Sequence, residues 1–206
     1  MRRGRLILFV KAPRLGAVKT RLGTEIGALS AWRFYNAMLK RLWRRLGHDR
    51  RWRTVLAVSP DHGAARWPPG PSRRPQGRGD LGRRMARAMR DHDGPVVLVG
   101  ADIPCLDRHH IAQAMRCLRR ADVVFGPAAD GGFWLVGLRH GRRRQWAALM
   151  FRSVRWSSPH AMADTLANLP GTARVAMLET LRDVDTPADY AEYLNYRCPG
   201  ARAGGA

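Results

Sequence analysis

An α/β domain built on a largely parallel sheet is the fold class that this 206-residue chain predicts. Three observations predict it. Apolar runs of strand length alternate with segments whose apolar residues recur at helical spacing. A cationic, glycine-bearing loop directly follows the first run, a common way to hold phosphate ahead of a helix. Asp102 stands just past a later strand, at the edge where open α/β sheets place ligands.

Leu6-Ile-Leu-Phe-Val10 reads as a buried strand. Ser30 is placed to cap a helix with Trp32, Tyr35, Met38, Leu39, Leu42 and Trp43 at helical spacing. Thr54 to Val58 is a second strand, and residues 60–79, rich in Pro, Gly and Arg, form an irregular excursion. Asp80 caps a helix carrying Leu81, Met85, Ala88 and Met89 along one side. Pro95 to Gly100 is a central strand, and Asp107 starts a helix that turns Ile111, Met115 and Leu118 inward. Ala121 to Gly126 and Phe133 to Leu138 are strands, the second following the turn Asp130-Gly131-Gly132. Ser157-Ser158-Pro159 opens a helix with proline in its first turn, and Arg174 to Leu178 is a short strand. Thr186-Pro187-Ala-Asp189 is a helix start: hydroxyl cap, proline at the first helical position, acid two further on. Residues 1–196 are expected to form one domain, and the Gly/Ala-rich residues 197–206 a disordered tail.

Composition narrows the function classes. A hydrophobic fraction of 45% and a charged fraction of 26% are ordinary for a soluble globular protein. No apolar stretch approaches the ~20 residues needed to span a bilayer, so no membrane insertion is expected. The start, Met1-Arg-Arg-Gly-Arg5, mimics a secretory leader only superficially, because the apolar run after it is short and Lys11 and Pro13 interrupt it. Three cysteines, irregularly spaced, indicate neither a disulfide framework nor a zinc site, and a cytoplasmic location is expected. The net charge of +21 has two readings: a nucleic-acid binder, or an arginine-biased chain with its excess spread over solvated faces. Arginine runs at 41–53, 73–90 and 139–144 form no single basic helix or known module, which favours the second and no specific nucleic-acid partner. Such a field would still draw in a polyphosphate.

Only three lysines occur, and Lys11 and Lys19 share the loop Lys11-Ala-Pro-Arg-Leu-Gly16-Ala-Val-Lys19-Thr20-Arg21. Lysine kept amid so much arginine points to a need for a compact, mobile ammonium. Pro13 and Gly16 shape a turn whose N–H groups can approach an anion, and Lys19 and Arg21 add cationic donors. It is not a Walker loop, since that glycine-lysine spacing is absent; an ordinary surface loop is the competing reading. Asp102 is suited to hold Mg²⁺ or Mn²⁺ against phosphate oxygens, or else caps the following turn. Asp183 and Asp185 share one face if their segment is extended, although Asp185 also reads as a neighbour of the last helix cap. Asp130-Gly131-Gly132 fits a tight turn beside a ligand, or a plain hairpin. The histidines form no metal-ligand pattern, and no nucleophile elbow is present.

Lys11-x-Pro13-x-x-Gly16-x-x-Lys19-Thr20-Arg21-Leu22, Gly79-Asp80-Leu81-Gly82-x-x-Met85, Gly100-x-Asp102-x-Pro104-x-Leu106 and Asp130-Gly-Gly-Phe133-x-Leu135-x-Gly137 stand in one order along the chain. With Trp156-Ser-Ser158 and Asp183-Val-Asp185-Thr-Pro187, they resemble the bacterial selenodomain-associated transferase family over about residues 6–195. The resemblance implies a GT-A, nucleotide-diphospho-sugar transferase, Rossmann-like fold with a mostly parallel mixed sheet flanked by helices. Relatives include 2-phospholactate and molybdenum-cofactor guanylyltransferases. It further implies that Lys11, Pro13, Gly16, Lys19 and Arg21 hold nucleotide phosphates and that Asp80 and Gly82 lie near base or ribose. Asp102 and Asp185 would be the Mg²⁺ or Mn²⁺ ligands, with Asp130, Gly131, Gly132, Phe133 and Trp156 near the acceptor.

The Asp-x-Asp of metal-dependent sugar transferases is missing, since Pro104 follows Asp102 at that spacing. That departure favours nucleotidyl transfer from a nucleoside triphosphate to a small phosphorylated acceptor, with Lys19, Arg21 and Asp102 as catalytic groups. Glycosyl transfer from a nucleotide sugar is the alternative, and a nucleotide- or polyanion-binding protein without turnover is the third reading. No feature points to a particular oligomeric state.

Overall fold

Apolar runs bounded by polar turns become the strands of a mixed sheet in the computed structural model, which describes residues 3–61, 67, 72–90, 92, 94–139 and 143–195. The strands are β1 (Gly4–Lys11), β2 (Trp52–Ser59), β3 (Ser72–Pro75), β4 (Val96–Val99), β5 (Val123–Pro127), β6 (Phe133–Leu138) and β7 (Val175–Met177). The helices are α1 (Thr20–Ile26), α2 (Ala28–Leu46), α3 (Leu81–Arg90), α4 (Arg108–Cys117), α5 (Arg143–Met150), α6 (Ala161–Ala167) and α7 (Pro187–Asn195). Among the described residues the strands form one sheet in the order β3-β2-β1-β4-β6-β5-β7. Pairings are parallel except around β6, which runs antiparallel to both β4 and β5.

Helices cover both faces, which is why the central strands are apolar throughout instead of alternating. Leu6, Leu8 and Val10 of β1 pack with Leu39, Leu42 and Leu46 of α2 and Ile111 of α4 on one face. Ile7 turns to the other, joining Leu98, Phe125 and Val136 against Met85 and Met89 of α3 and Trp146 and Met150 of α5. Successive residues of a strand point to opposite faces, so a single apolar run supplies both layers.

The order of the strands fixes where a ligand goes. From β1 the chain winds outward through β2 to β3, then returns to place β4 on the other side of β1. The crevice between the carboxyl ends of β1 and β4 is therefore a topological switch point, the expected ligand position in an open α/β sheet.

Several local expectations are corrected. Ser30 does not cap a helix: α2 begins at Ala28 after Gly27, whose φ of 83° breaks it from the unanticipated α1. The excursion after β2 contains β3, an exposed Ser-Arg-Arg-Pro edge strand whose polar sequence carries no apolar pattern. Helix α5 begins inside the arginine run at 139–144 and was not anticipated. Helix α6 starts at Ala161, since Ser157 adopts φ 58° and the segment to His160 forms turns first. Cys105 is disulfide-bonded, while Cys117 is free. Among the described residues no helix is long and apolar enough to cross a membrane. The tail at 197–206 lies outside the described residues.

Candidate functional site

The loop after β1 is anchored to α2. The buried Tyr35 hydroxyl accepts a hydrogen bond from the Lys11 N–H (3.0 Å) and donates one to the Lys11 carbonyl (2.9 Å). Burial pushes the Tyr35 phenol pKa up, so it stays a neutral clamp. The Trp32 indole N–H donates to the Pro13 carbonyl (2.7 Å). Gly16 supplies φ 74° with open space where a side chain would be, and Val18 is buried. The chain then folds back to Lys19, which precedes α1 at φ 50° and ψ 46°. A left-handed backbone costs a non-glycine residue roughly 1–2 kcal/mol.

That turn aims the Lys19 side chain, 5% exposed, into the switch-point crevice. Its Nζ lies 3.3 Å from Asp102 Oδ2 and 3.3 Å from Asp185 Oδ1. Arg21 Nη1 reaches Asp185 Oδ2 at 3.4 Å from a largely solvated position. Burial lowers the Lys19 pKa, but the two carboxylates outweigh it and the net shift is upward, so the ammonium is charged at neutral pH.

The two aspartates arrive from distant parts of the chain. Asp102 follows β4, and its carbonyl accepts the Val184 N–H (3.1 Å). Upstream, Leu181 bridges to Ala128 and donates its N–H to the Pro127 carbonyl (3.1 Å), so the segment after β7 runs past the end of the sheet. Val184 is buried, and the residues on either side of it face the cleft. Asp189 Oδ2 accepts the N–H groups of Asp185 (3.0 Å) and Thr186 (2.7 Å), fixing the turn into α7. Burial, with Asp102 and Asp130 nearby, pushes the Asp183 carboxyl up to about 6 despite the opposing pull of Lys19.

Lys19, Asp102, Asp183 and Asp185 line a cleft of about 400 Å³. Its other wall holds Asp130, Gly132, Phe133, Trp156 and Ser158, with Leu81, Arg84 and Met85 from α3. Phe133 meets Trp156 edge-on, with ring centroids 6.3 Å apart. Asp130 Oδ1 accepts the Gly132 N–H (2.9 Å), and Gly131 at φ 84° passes so close to Pro159 that a Cβ would lie 2.6 Å from its Cα.

Of the residues picked from the sequence, Lys11, Lys19, Asp102, Asp130, Gly132, Phe133, Trp156 and Asp185 line this cleft. Pro13, Gly16, Arg21 and Gly131 do not line it; they belong to the turns and ion pairs that frame it. Asp80 and Gly82 lie elsewhere. Asp80 caps α3 by accepting the Arg83 N–H (2.7 Å), and buried Gly82 lets α3 approach Trp156, whose Cζ2 a Cβ would meet at 2.9 Å.

Gln76 and Arg84 were missed. Buried Gln76 donates through Nε2 to the carbonyls of Val10 (3.0 Å) and Ala57 (2.9 Å), and its Oε1 accepts from Arg84 Nη1 (3.0 Å). It thus ties two strand ends together and steers one guanidinium into the cleft. The position of Arg84 beside Met85, inside a quoted motif, was the signal available.

Among the described residues no group of three or more His, Cys, Asp or Glu side chains forms a metal-binding cluster. Two carboxylates converge on one cationic group instead. That donor set fits Mg²⁺ or Mn²⁺, hard ions that take one or two carboxylates and fill their remaining positions from phosphate and water.

Residues 42–158 match the family described as uncharacterized protein conserved in bacteria (DUF2064). The chain belongs to that family. It is similar to a crystal structure named as a candidate nucleotide-diphospho-sugar transferase from Desulfovibrio desulfuricans, at 29% identity and TM-score 0.85, covering 98% of this chain and 90% of that one. It shares its fold with the Rv0371c protein of Mycobacterium tuberculosis, solved with manganese (16% identity, TM-score 0.57, 95% and 100% covered). The fold also matches 4-diphosphocytidyl-2C-methyl-D-erythritol synthase from Anaerococcus prevotii (9% identity, TM-score 0.60, 95% and 97% covered). No curated protein matches the sequence.

Proposed function

We propose that this DUF2064 protein is a metal-dependent nucleotidyltransferase that joins a nucleotidyl group from a nucleoside triphosphate to a small phosphorylated acceptor. The observation that carries the reading is the convergence of Lys19, Asp102 and Asp185 at the β1–β4 switch point. A triphosphate there would meet a buried ammonium, the Arg21 guanidinium and two carboxylates able to share a divalent ion. The likeness to the named synthase and to a cytidylyltransferase from Thermus thermophilus supports the reading, as do the motifs resembling selenodomain-associated transferases, a family whose relatives include guanylyltransferases. Residues 1–196 would act as one domain, in the cytoplasm.

In the reaction an acceptor phosphate oxygen bonds to the α-phosphorus while the α–β P–O bond breaks, and the electron pair leaves with pyrophosphate. The acceptor is already ionised, so no general base is needed. Lys19 and Arg21 neutralise the departing pyrophosphate. Asp102 and Asp185 would hold the Mg²⁺ or Mn²⁺, which when bound would supply Lewis-acid stabilisation of the reacting phosphates. The wall with Phe133 and Trp156 binds the acceptor, and alignment of the two bound substrates by the site as a whole is worth roughly 7–11 kcal/mol of barrier.

Glycosyl transfer from a nucleotide sugar is the second reading, favoured by the name of the Desulfovibrio structure. Incubation with each nucleoside triphosphate or nucleotide sugar, Mg²⁺ or Mn²⁺ and a panel of phosphorylated and hydroxyl acceptors separates the two. Pyrophosphate release is expected; release of nucleoside diphosphate from a nucleotide sugar would replace the first reading with the second.

A further inference from the structure

We propose that Lys19 is an internal counter-ion standing in the divalent-cation position between Asp102 and Asp185, so that ammonium and metal exclude one another and nucleotide phosphate decides which is present. This rests on the reading of those two aspartates as the metal ligands.

The geometry is that of a bridged cation. Nζ is 3.3 Å from one oxygen of each carboxylate, and no other described basic group contacts Asp102. Arg21 touches only the far oxygen of Asp185, so it cannot neutralise the pair. The ammonium is buried while both carboxylates are 40% exposed, which places the positive charge behind two acceptors open to the cleft. A divalent ion arriving alone would have to expel Lys19 from the two carboxylates it contacts directly and leave a buried ammonium without a hydrogen-bonded counter-ion, an unfavourable state. A triphosphate removes that obstacle. It offers phosphate oxygens both to the displaced ammonium and to the ion that replaces it. The flexible four-carbon stem of lysine allows this swing, and a planar guanidinium would not pass as readily from one point partner to another. Metal and nucleotide must therefore bind with positive, reciprocal coupling.

Two measurements test this on the full chain. First, free Mn²⁺ is followed by electron paramagnetic resonance during titration without nucleotide, for wild type, Lys19→Met and Lys19→Gln. Both variants are expected to bind Mn²⁺ at least about tenfold more tightly than wild type. Adding Asp185→Asn should abolish the gain, and Mn²⁺ should raise the melting temperature of folded Lys19→Met more than that of wild type. Second, only three lysines are present, so wild type labelled with ε-¹³C-lysine gives a readable spectrum. Mg²⁺ alone should leave the Lys19 resonance in place, and Mg²⁺ with a non-hydrolysable triphosphate analogue should move it. Equal Mn²⁺ affinity in wild type and variants, or a Lys19 shift with Mg²⁺ alone, overturns the counter-ion proposal and leaves the metal reading standing. No Mn²⁺ binding in any form, with transfer persisting in chelator, overturns both.

Discussion

The two walls of the cleft are unlike. On the β1–β4 side, Lys19, Asp102 and Asp185 come from three widely separated loops and are locked in one network of charge. On the other side, Phe133, Trp156, Leu81 and Met85 offer mainly apolar surface with Asp130 at the margin. Interactions with fixed charges strengthen as charge develops in a transition state, whereas apolar contacts bind ground and transition states about equally. The charged wall should then govern turnover and the apolar wall occupancy.

Asp102→Asn gives the largest expected effect. Turnover should fall roughly 10²- to 10³-fold with the fold intact. Trp156→Ala should mainly raise KM. Steady-state kinetics of both variants would overturn this division between the walls if Trp156→Ala carried the turnover loss. Next comes Gly131→Ala, which demands a left-handed alanine and a Cβ pressed on the Pro159 backbone. Roughly 1–3 kcal/mol of stability should be lost in denaturant unfolding. A neutral result would mean that the turn gives way and that Gly131 is not what closes it on Pro159.

The charged wall was the more legible of the two in the sequence, and the reason is physical. A short apolar run, a glycine and a lysine follow one another within a few residues, so strand, turn and cation position are all specified locally. Asp102 is likewise fixed by the strand just before it. The pairing of Asp185 with Lys19, 166 residues apart, was only a candidate because it depends on how the segment after β7 crosses the sheet end. Gln76 gave no local signal at all. Its role comes from two carbonyls on other strands and one arginine on a helix, and it sits in a stretch that reads as loop. Edge strand β3 was missed for a related reason: an exposed strand needs no apolar pattern, only a neighbour with free backbone groups.

Arg84 is a cation on the otherwise apolar wall, held by Gln76, and so tests whether charge or position decides a residue's role. Arg84→Ala should raise the KM for nucleotide about tenfold, a loss of roughly 1.4 kcal/mol, and leave turnover nearly unchanged. A fall in turnover at saturating nucleotide would move Arg84 to the charged wall.

Asp183 gives the smallest expected effect and tests the charged wall without catalysis. Its carboxyl titrates at about 6, above the usual carboxylate range, because burial and the neighbouring Asp102 and Asp130 disfavour its charge. An acid whose pKa is raised by folding costs stability once ionised. That cost is absent below about pH 4, grows as pH rises, and is complete above about pH 6. Asp183→Asn removes it, so the variant should be more stable than wild type at pH 8 and no different at pH 4. With the group partly solvated, screening trims the gain to about 1 kcal/mol. Urea unfolding of metal-free protein across that range measures it. An asparagine variant less stable at pH 8 would mean that the Lys19 ammonium outweighs the two neighbouring carboxylates, and that charge on this wall is balanced more evenly than its geometry indicates.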